Sequence, residues 1–468
     1  MTGFGATVRA MSETRSSPPV AVGPLPLTFA NARTIAWDVM RAALAAVDPA
    51  EAVRRVMQLD GEALRVSGHT YDLRKYRRVV VVGAGKASAP MARATEEILG
   101  SRVAGGHVIV KVGYLDTTTR VALHEASHPV PDQAGIDGTA RIVRILQEAG
   151  EEDLVICLIS GGGSALMILP DDSISLMDYR ALTDSLLRSG ADITRINTIR
   201  KHVERVKGGR LAQVAFPATV LSLVLSDVVG NPLDFIASGP TVPDPTTFAD
   251  AMQVLSDFDL IGKVPATVES RLRAGVAGEI PETPKPGDPI FDRVRTVVIG
   301  SNEIAAAAAV HRARELGFQT LHLTSFLEGE AREAAKFVVA IAREIEGRNR
   351  PVTTPAMVLC GGETTVTVRG AGRGGRNQEL ALAAGLAMGG VPNVLVATLA
   401  TDGSDGPTDA AGGFADAGSV QRMREAGIDP RVALGANDSN DALMRAGDLI
   451  VTGPTNTNVN DLTFAFVF

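Results

Sequence analysis

Hydrophobic positions along this chain follow two periods. Short, mostly apolar runs at residues 79–82, 154–159, 218–225, 295–299, 356–360 and 394–399 read as strands, and 154–159 as one buried on both faces. Shorter strands are predicted over 106–111 and 320–323. Between these runs, apolar residues recur at helical spacing over 29–47, 86–99, 135–148, 175–187, 192–206, 303–316 and 331–345. Residues 363–368 alternate like one arm of a hairpin. Strands alternating with helices predict an α/β protein with a mostly parallel sheet covered on both faces. No repeat of solenoid or propeller period is present.

Four prolines fall within residues 281–289, which marks a linker. A second α/β pattern begins after it. The expected layout is a leader over 1–28, expected to be disordered, a domain over 29–280 and a second over 290–468. The last strand is a candidate to return to the first domain. At 468 residues, two domains are the default.

Composition narrows the function. A hydrophobic fraction of 45% with 21% charged residues describes a globular protein with a sizeable interior. The net charge of −7 argues against nucleic acid as a partner. No apolar run approaches a membrane span, and residues 1–26 hold no signal-type apolar core. Cys157 and Cys360 fall in predicted buried strands, so a cytoplasmic protein with reduced thiols is expected.

The candidate chemistry lies just past strand ends. After residues 153–159 comes Ser160-Gly161-Gly162-Gly163-Ser164, where bare backbone amides form a concavity suited to a phosphate or carboxylate. The strand over 78–82 runs into Gly83-Ala84-Gly85-Lys86, half of a dinucleotide fingerprint. Its third glycine position holds Ser88, and no acid closes the second strand. Lys86 opens a helix, where a cation opposes the dipole unless an anion is bound. Lys207, followed by two glycines, is a further phosphate candidate. Arg369 to Glu379 interleaves four glycines with three arginines, including Arg373, Gly374 and Arg376, and a helix is expected from Asn377. Asp402 and Asp405, and separately Asp227 with Asn231, follow strands at positions where α/β enzymes hold Mg²⁺ or a base.

Together these segments, with His128-Pro129-Val130-Pro131, Asn197 to Gly209, Ser238-Gly239-Pro240-Thr241, Gly361 to Thr365 and Thr452-Gly453-Pro454-Thr455, resemble the glycerate 2-kinase family, whose C-terminal part is the MOFRL domain. The likeness spans nearly all of 29–468. It implies a Rossmann-like N-terminal domain, an α/β C-terminal domain and an active site between them. It implies ATP-dependent phosphorylation of D-glycerate at its 2-hydroxyl, with Mg²⁺. Lys86 matches the family's functional lysine, and Arg376 its arginine, with Arg373 close by. Asp227 or Asp405 is expected as the base, and Asp402 and Asp405 as metal ligands. Gly83, Gly85, Ser160 to Ser164, Lys207, Asn231, Arg373, Gly374 and Asn377 are expected to bind substrate or nucleotide. A monomer or homodimer is expected. Family members are often labelled hydroxypyruvate reductases, so an NAD(P)H-dependent reductase is the rival, and a non-catalytic sensor the remaining class. Phosphoryl transfer asks for positioning and charge neutralisation, which these loops supply. Hydride transfer would want an intact fingerprint.

Overall fold

Val79 to Val82 and Asp153 to Ile159 can be buried on both faces only inside a sheet covered on both sides, and that is where they lie. The computed structural model describes residues 26–468. Strands β1 (Met57–Asp60), β2 (Ala63–Val66) and β3 (His69–Asp72) form a small antiparallel meander. The first large sheet contains β4 (Arg78–Ala84), β5 (Val103–Lys111), β6 (Val121–Ala126), β7 (Asp153–Ile159), β8 (Thr219–Leu225) and β9 (Val294–Gly300). Its spatial order is β6-β5-β4-β7-β8-β9, all parallel. Counted within the sheet this is 3-2-1-4-5-6, the doubly wound Rossmann order.

The second sheet is mixed. It contains β10 (Gln319–Leu327), β11 (Ala356–Gly362), β12 (Val394–Ala400), β13 (Gly412–Asp416), β14 (Leu449–Ile450) and β15 (Asp461–Val467), ordered β10-β11-β15-β12-β13-β14. Among the described residues its one parallel pairing is β10 with β11, and the other neighbours are antiparallel.

The layout expected from sequence needs correction in five places. Residues 1–25 of the expected leader lie outside the described residues, while Pro26 to Thr28 already belong to the fold, with Asn31 Nδ2 donating to the Pro26 carbonyl at 3.0 Å. Residues 281–289 are no free linker. Thr283 is buried, its hydroxyl donates to Asp244, and the Pro284 carbonyl accepts from Asp244 N at 2.9 Å. Strand β9, expected to open the second domain, pairs with β8. Strand β15 lies between β11 and β12, at the centre of the second sheet, and does not return to the first. Residues 363–368 form no hairpin arm. Thr365 makes one isolated bridge to Glu330.

The helix Ala32–Ala46 also crosses over. It packs beside the helix Asn302–Glu315 against the second sheet, with Trp37 edge-on to Phe414 at 6.2 Å. Phe29 meets Phe468 at 6.1 Å in the same layer. One apolar cluster therefore runs from Val81 and Ile156 of the first sheet through Ala36, Met40 and Ala309 to Leu359, Phe464 and Phe466 of the second.

Candidate active site

Strand order reverses between β4 and β7, and in open α/β sheets the crevice beyond the carboxyl ends at that point is the usual ligand site. Glycines let the two strands approach there. A Cβ on Gly83 would sit 2.0 Å from the Leu158 carbonyl oxygen, and one on Gly85 2.0 Å from Ser160 Oγ. Ser160 is fully buried. Its Oγ accepts from Ala87 N at 3.0 Å and pairs with Ser88 Oγ at 3.0 Å. Gly83, Gly85 and Ser160 thus stitch the two loops together, and their close packing leaves no room at these atoms for a phosphate.

The three glycines each admit a different neighbour. A Cβ on Gly161 would lie 2.4 Å from Asp227 Oδ2, one on Gly162 3.0 Å from the His128 ring, and one on Gly163 2.8 Å from Ala237 Cβ. Gly162 also takes φ +81°, a conformation that disfavours side chains. The run therefore gathers Asp227, His128 and Lys86 around one loop, and Lys86 N donates to the Gly161 carbonyl at 2.9 Å. Burial pushes the Asp227 carboxyl up to about 6. Glu363 adds to the rise, while Lys86 and the Gly162 N–H oppose it. Burial, with Lys86 and Lys111 nearby, pushes His128 down to about 4, so its imidazole is neutral.

A cavity of about 500 Å³ opens beside this loop, lined by Gly162, Ser164, Asn197 and Asp227 from the first unit and Glu328 and Glu363 from the second. Ser164 Oγ, Ser238 Oγ and Asn197 Oδ1 form a chain of 2.9 Å hydrogen bonds on its wall. Across it, Glu363 Oε1 accepts from Arg376 Nη1 at 2.7 Å and Oε2 from Asn460 Nδ2 at 2.8 Å. Arg376 also grips Asp461 through Nε at 2.5 Å and Nη2 at 3.2 Å. Burial works against the Arg376 charge, but Asp461 and Glu363 outweigh it and hold its pKa above the usual arginine range. Burial drives Asp461 up to about 6 in spite of Arg376.

Several expected site residues have other work. Lys207 is fully buried, with Nζ 2.9 Å from the carbonyls of Ser164 and Met167 and 3.1 Å from Glu204 Oε1. It satisfies the C-terminal carbonyls of the short helix Gly163–Leu166 and so props the glycine loop instead of meeting a phosphate. Asp405 accepts from Asn377 N at 3.2 Å and from Gln378 N at 2.9 Å, which caps the helix Arg376–Met388. Asn377 is buried and its side chain bonds Asp405. Gly374 packs on Ser439, where a Cβ would lie 2.1 Å from the hydroxyl. Asp402 turns back on Ser404 N at 3.1 Å. Among the described residues no group of three metal-ligating side chains gathers. Arg373 is exposed and bonds the Pro407 carbonyl at 3.2 Å. Asn231 lines a separate cavity of about 390 Å³ with Asn302, His322 and Phe326.

Sequence reasoning assigned no role to His128, Asn197, Glu363, Asn460 or Asp461. The first three stood within the motifs quoted for the family. Asn460 and Asp461 carry no local signal, because only the pairing of β15 brings them to the cleft.

A doubly wound sheet with a lysine at its switch point, facing an arginine–carboxylate network across a cleft, defines an α/β group-transfer enzyme. Residues 35–273 match the family described as a domain of unknown function (DUF4147), and residues 356–461 match the MOFRL family. The chain is 44% identical over 436 residues to the glycerate 2-kinase of Pyrococcus horikoshii, covering 93% of this chain and 97% of that protein. A crystal structure of glycerate kinase from Thermotoga maritima superposes with a TM-score of 0.84 at 40% identity, over 94% of this chain and 100% of that one. An Agrobacterium vitis protein bearing the hydroxypyruvate reductase name is 44% identical over 82% of this chain and 86% of its own length. The chain belongs to the glycerate 2-kinase family of MOFRL-domain kinases.

Proposed function

We propose that this protein transfers the γ-phosphoryl group of ATP to the 2-hydroxyl of D-glycerate, giving 2-phosphoglycerate. The observation that carries the reading is that Asp227 of the first unit and Glu363 of the second line one cavity, with Lys86 close to Asp227 and Arg376 bonded to Glu363. Asp227, half-buried on the cavity wall, accepts the 2-hydroxyl proton. Lys86 and His128 stand beside it. Lys86 neutralises charge on the glycerate carboxylate or the transferring group, and neutral His128 adds a hydrogen bond without a competing charge. Three of the five Arg376 N–H donors are engaged, which leaves two for the phosphoryl oxygens. The Ser164–Ser238–Asn197 chain offers hydroxyls and an amide to the substrate.

The cavity suits Mg²⁺, which needs only one or two protein carboxylates beside water and phosphate oxygens. Glu328, on the cavity wall, would hold it with the nucleotide. When bound, the ion neutralises the phosphates and leaves Asp227 free for the proton. The rival reductase fits less well: Ser88 is buried where a fingerprint glycine belongs, and β5 ends at Lys111 with no acid for a ribose. Cys157 and Cys360 are free and buried, as in a cytoplasmic protein. No helix among the described residues is long and apolar enough to cross a membrane.

The test is one pair of assays. ATP, Mg²⁺ and D-glycerate should yield ADP and 2-phosphoglycerate, and Lys86→Ala should lose at least about a hundredfold in kcat/KM, roughly 2.7 kcal/mol, while remaining folded. Oxidation of NADH or NADPH with hydroxypyruvate, without ADP formation, would overturn the proposal.

A further inference from the structure

Asn460 enters β15 in the left-handed region at φ 65° and is 4% exposed. Its backbone is anchored inside the second unit. The carbonyl accepts from Thr401 N at 3.2 Å and Thr401 Oγ1 at 2.7 Å, and its N–H donates to Asn458 Oδ1 at 3.2 Å. Its side chain reaches the other unit. Nδ2 donates at 2.9 Å to the main-chain carbonyl of Asp227 and at 2.8 Å to Glu363 Oε2. Both neighbours are acceptors, which orients the amide with nitrogen toward them and occupies both of its hydrogens. The second Glu363 oxygen holds Arg376, and Arg376 in turn holds Asp461, the residue after Asn460. One amide therefore ties the loop that carries the base to the arginine through a single shared carboxylate.

We propose that Asn460 is a positioning residue, whose amide clamps the Asp227 loop to the Glu363–Arg376 pair so that base and arginine address the same transferring phosphoryl group. The inference rests on the kinase reading above. A displacement of about 1 Å in such a pair can cost about a hundredfold in rate. The clamp acts on alignment and touches neither substrate, so its loss falls on kcat more than on KM.

Two variants separate the clamp from the fold. Asn460→Gly keeps the left-handed backbone and removes both donors, while Asn460→Asp keeps the shape and sets an acceptor against two acceptors. Thr457→Val is the control, because it deletes another buried hydrogen bond made just before β15, Thr457 Oγ1 to the Val47 carbonyl at 2.7 Å, away from the cavity. In the ATP and D-glycerate assay, both Asn460 variants should lose about 10- to 100-fold in kcat with each KM within about threefold, and Thr457→Val should keep its kcat. In a Glu363→Gln background the further loss from Asn460→Gly should shrink, since the two act through one another. Normal kcat in a folded Asn460→Gly protein, additive losses with Glu363→Gln, or failure of both Asn460 variants to fold while Thr457→Val folds would each overturn the clamp. Wild-type protein that forms no ADP with D-glycerate would overturn the kinase reading instead.

Discussion

At Asp227, burial sets both a stability cost and a pH limit on activity. Its carboxyl titrates near 6 in the folded chain, against 3.8 for an ordinary aspartate, because the surrounding protein disfavours the charge. Lys86 and Glu363 are the charged groups facing it, and the first only partly offsets the burial. A raised carboxyl favours the folded state most below pH 4, and that contribution is lost as pH rises through about 6. Asp227→Asn should therefore melt a few degrees above the wild type at pH 7.5, with the gap closing as pH falls toward 5. A base must be ionised, so kcat/KM of the wild type should fall below pH 6. Melting curves and a pH–rate profile check both, and an Asp227→Asn protein with normal turnover would remove Asp227 from the mechanism. Single residues were unevenly legible in the sequence. Lys86 and Asp227 could be read because each follows a strand whose burial is plain. Lys207 misled, since a lysine before two glycines looks the same whether it meets a phosphate or the carbonyls of a short helix.

Among the elements, the helix Arg376–Met388 carries the sharpest contrast. Asp405 holds its first N–H groups, so Arg376 leaves the capped end in a fixed direction toward Asp461 and Glu363. Arg373, three residues earlier on the loop, stays in solvent. Arg376→Ala would leave Asp461, 6% exposed, beside Glu363 with no cation. The expected cost is about 2 kcal/mol of stability, below that of a fully buried pair because the arginine is itself one-third exposed. A loss of at least about a hundredfold in kcat should accompany it, with a smaller change in ATP affinity. Arg373→Ala should stay within about threefold in kcat. A larger loss for Arg373 than for Arg376, in melting and turnover measured side by side, would reverse the assignment. The long strands β4, β7, β8, β11 and β12 were readable because their runs are almost wholly apolar and buried on both faces. The meander β1–β3, β6 and β14 are short or half-polar and gave no such pattern. The partners of β9 and β15 are set by distant pairing, on which local periodicity is silent.

Over the whole molecule, the two sheets are held by one apolar cluster and not by a hinge. The helix Ala32–Ala46 comes from the start of the chain yet packs on the second sheet, and β9 follows the proline-rich segment yet completes the first. Arg33 reinforces the crossing with a 3.1 Å ion pair to Asp416 and a shorter one to Asp448. Thr283 and Pro284 are bonded to Asp244, so this proline-rich segment is fastened to the first unit. Splitting the chain after residue 288 would strip β9 from the first half and leave one face of Ala32–Ala46 bare. It would also uncover Leu395, Phe414 and Phe464 on the second half. Each half would then expose an apolar surface too large for a stable monomer. Fragments 26–288 and 289–468 should therefore be aggregation-prone or loosely packed when made alone, and should recover ordered structure when produced together. The intact chain should unfold in one calorimetric transition whose van't Hoff and calorimetric enthalpies agree, since neither sheet keeps its core without the other. Two separate transitions, or two halves that each melt cooperatively on their own, would show that the crossing helix and β9 are ornaments on independent domains.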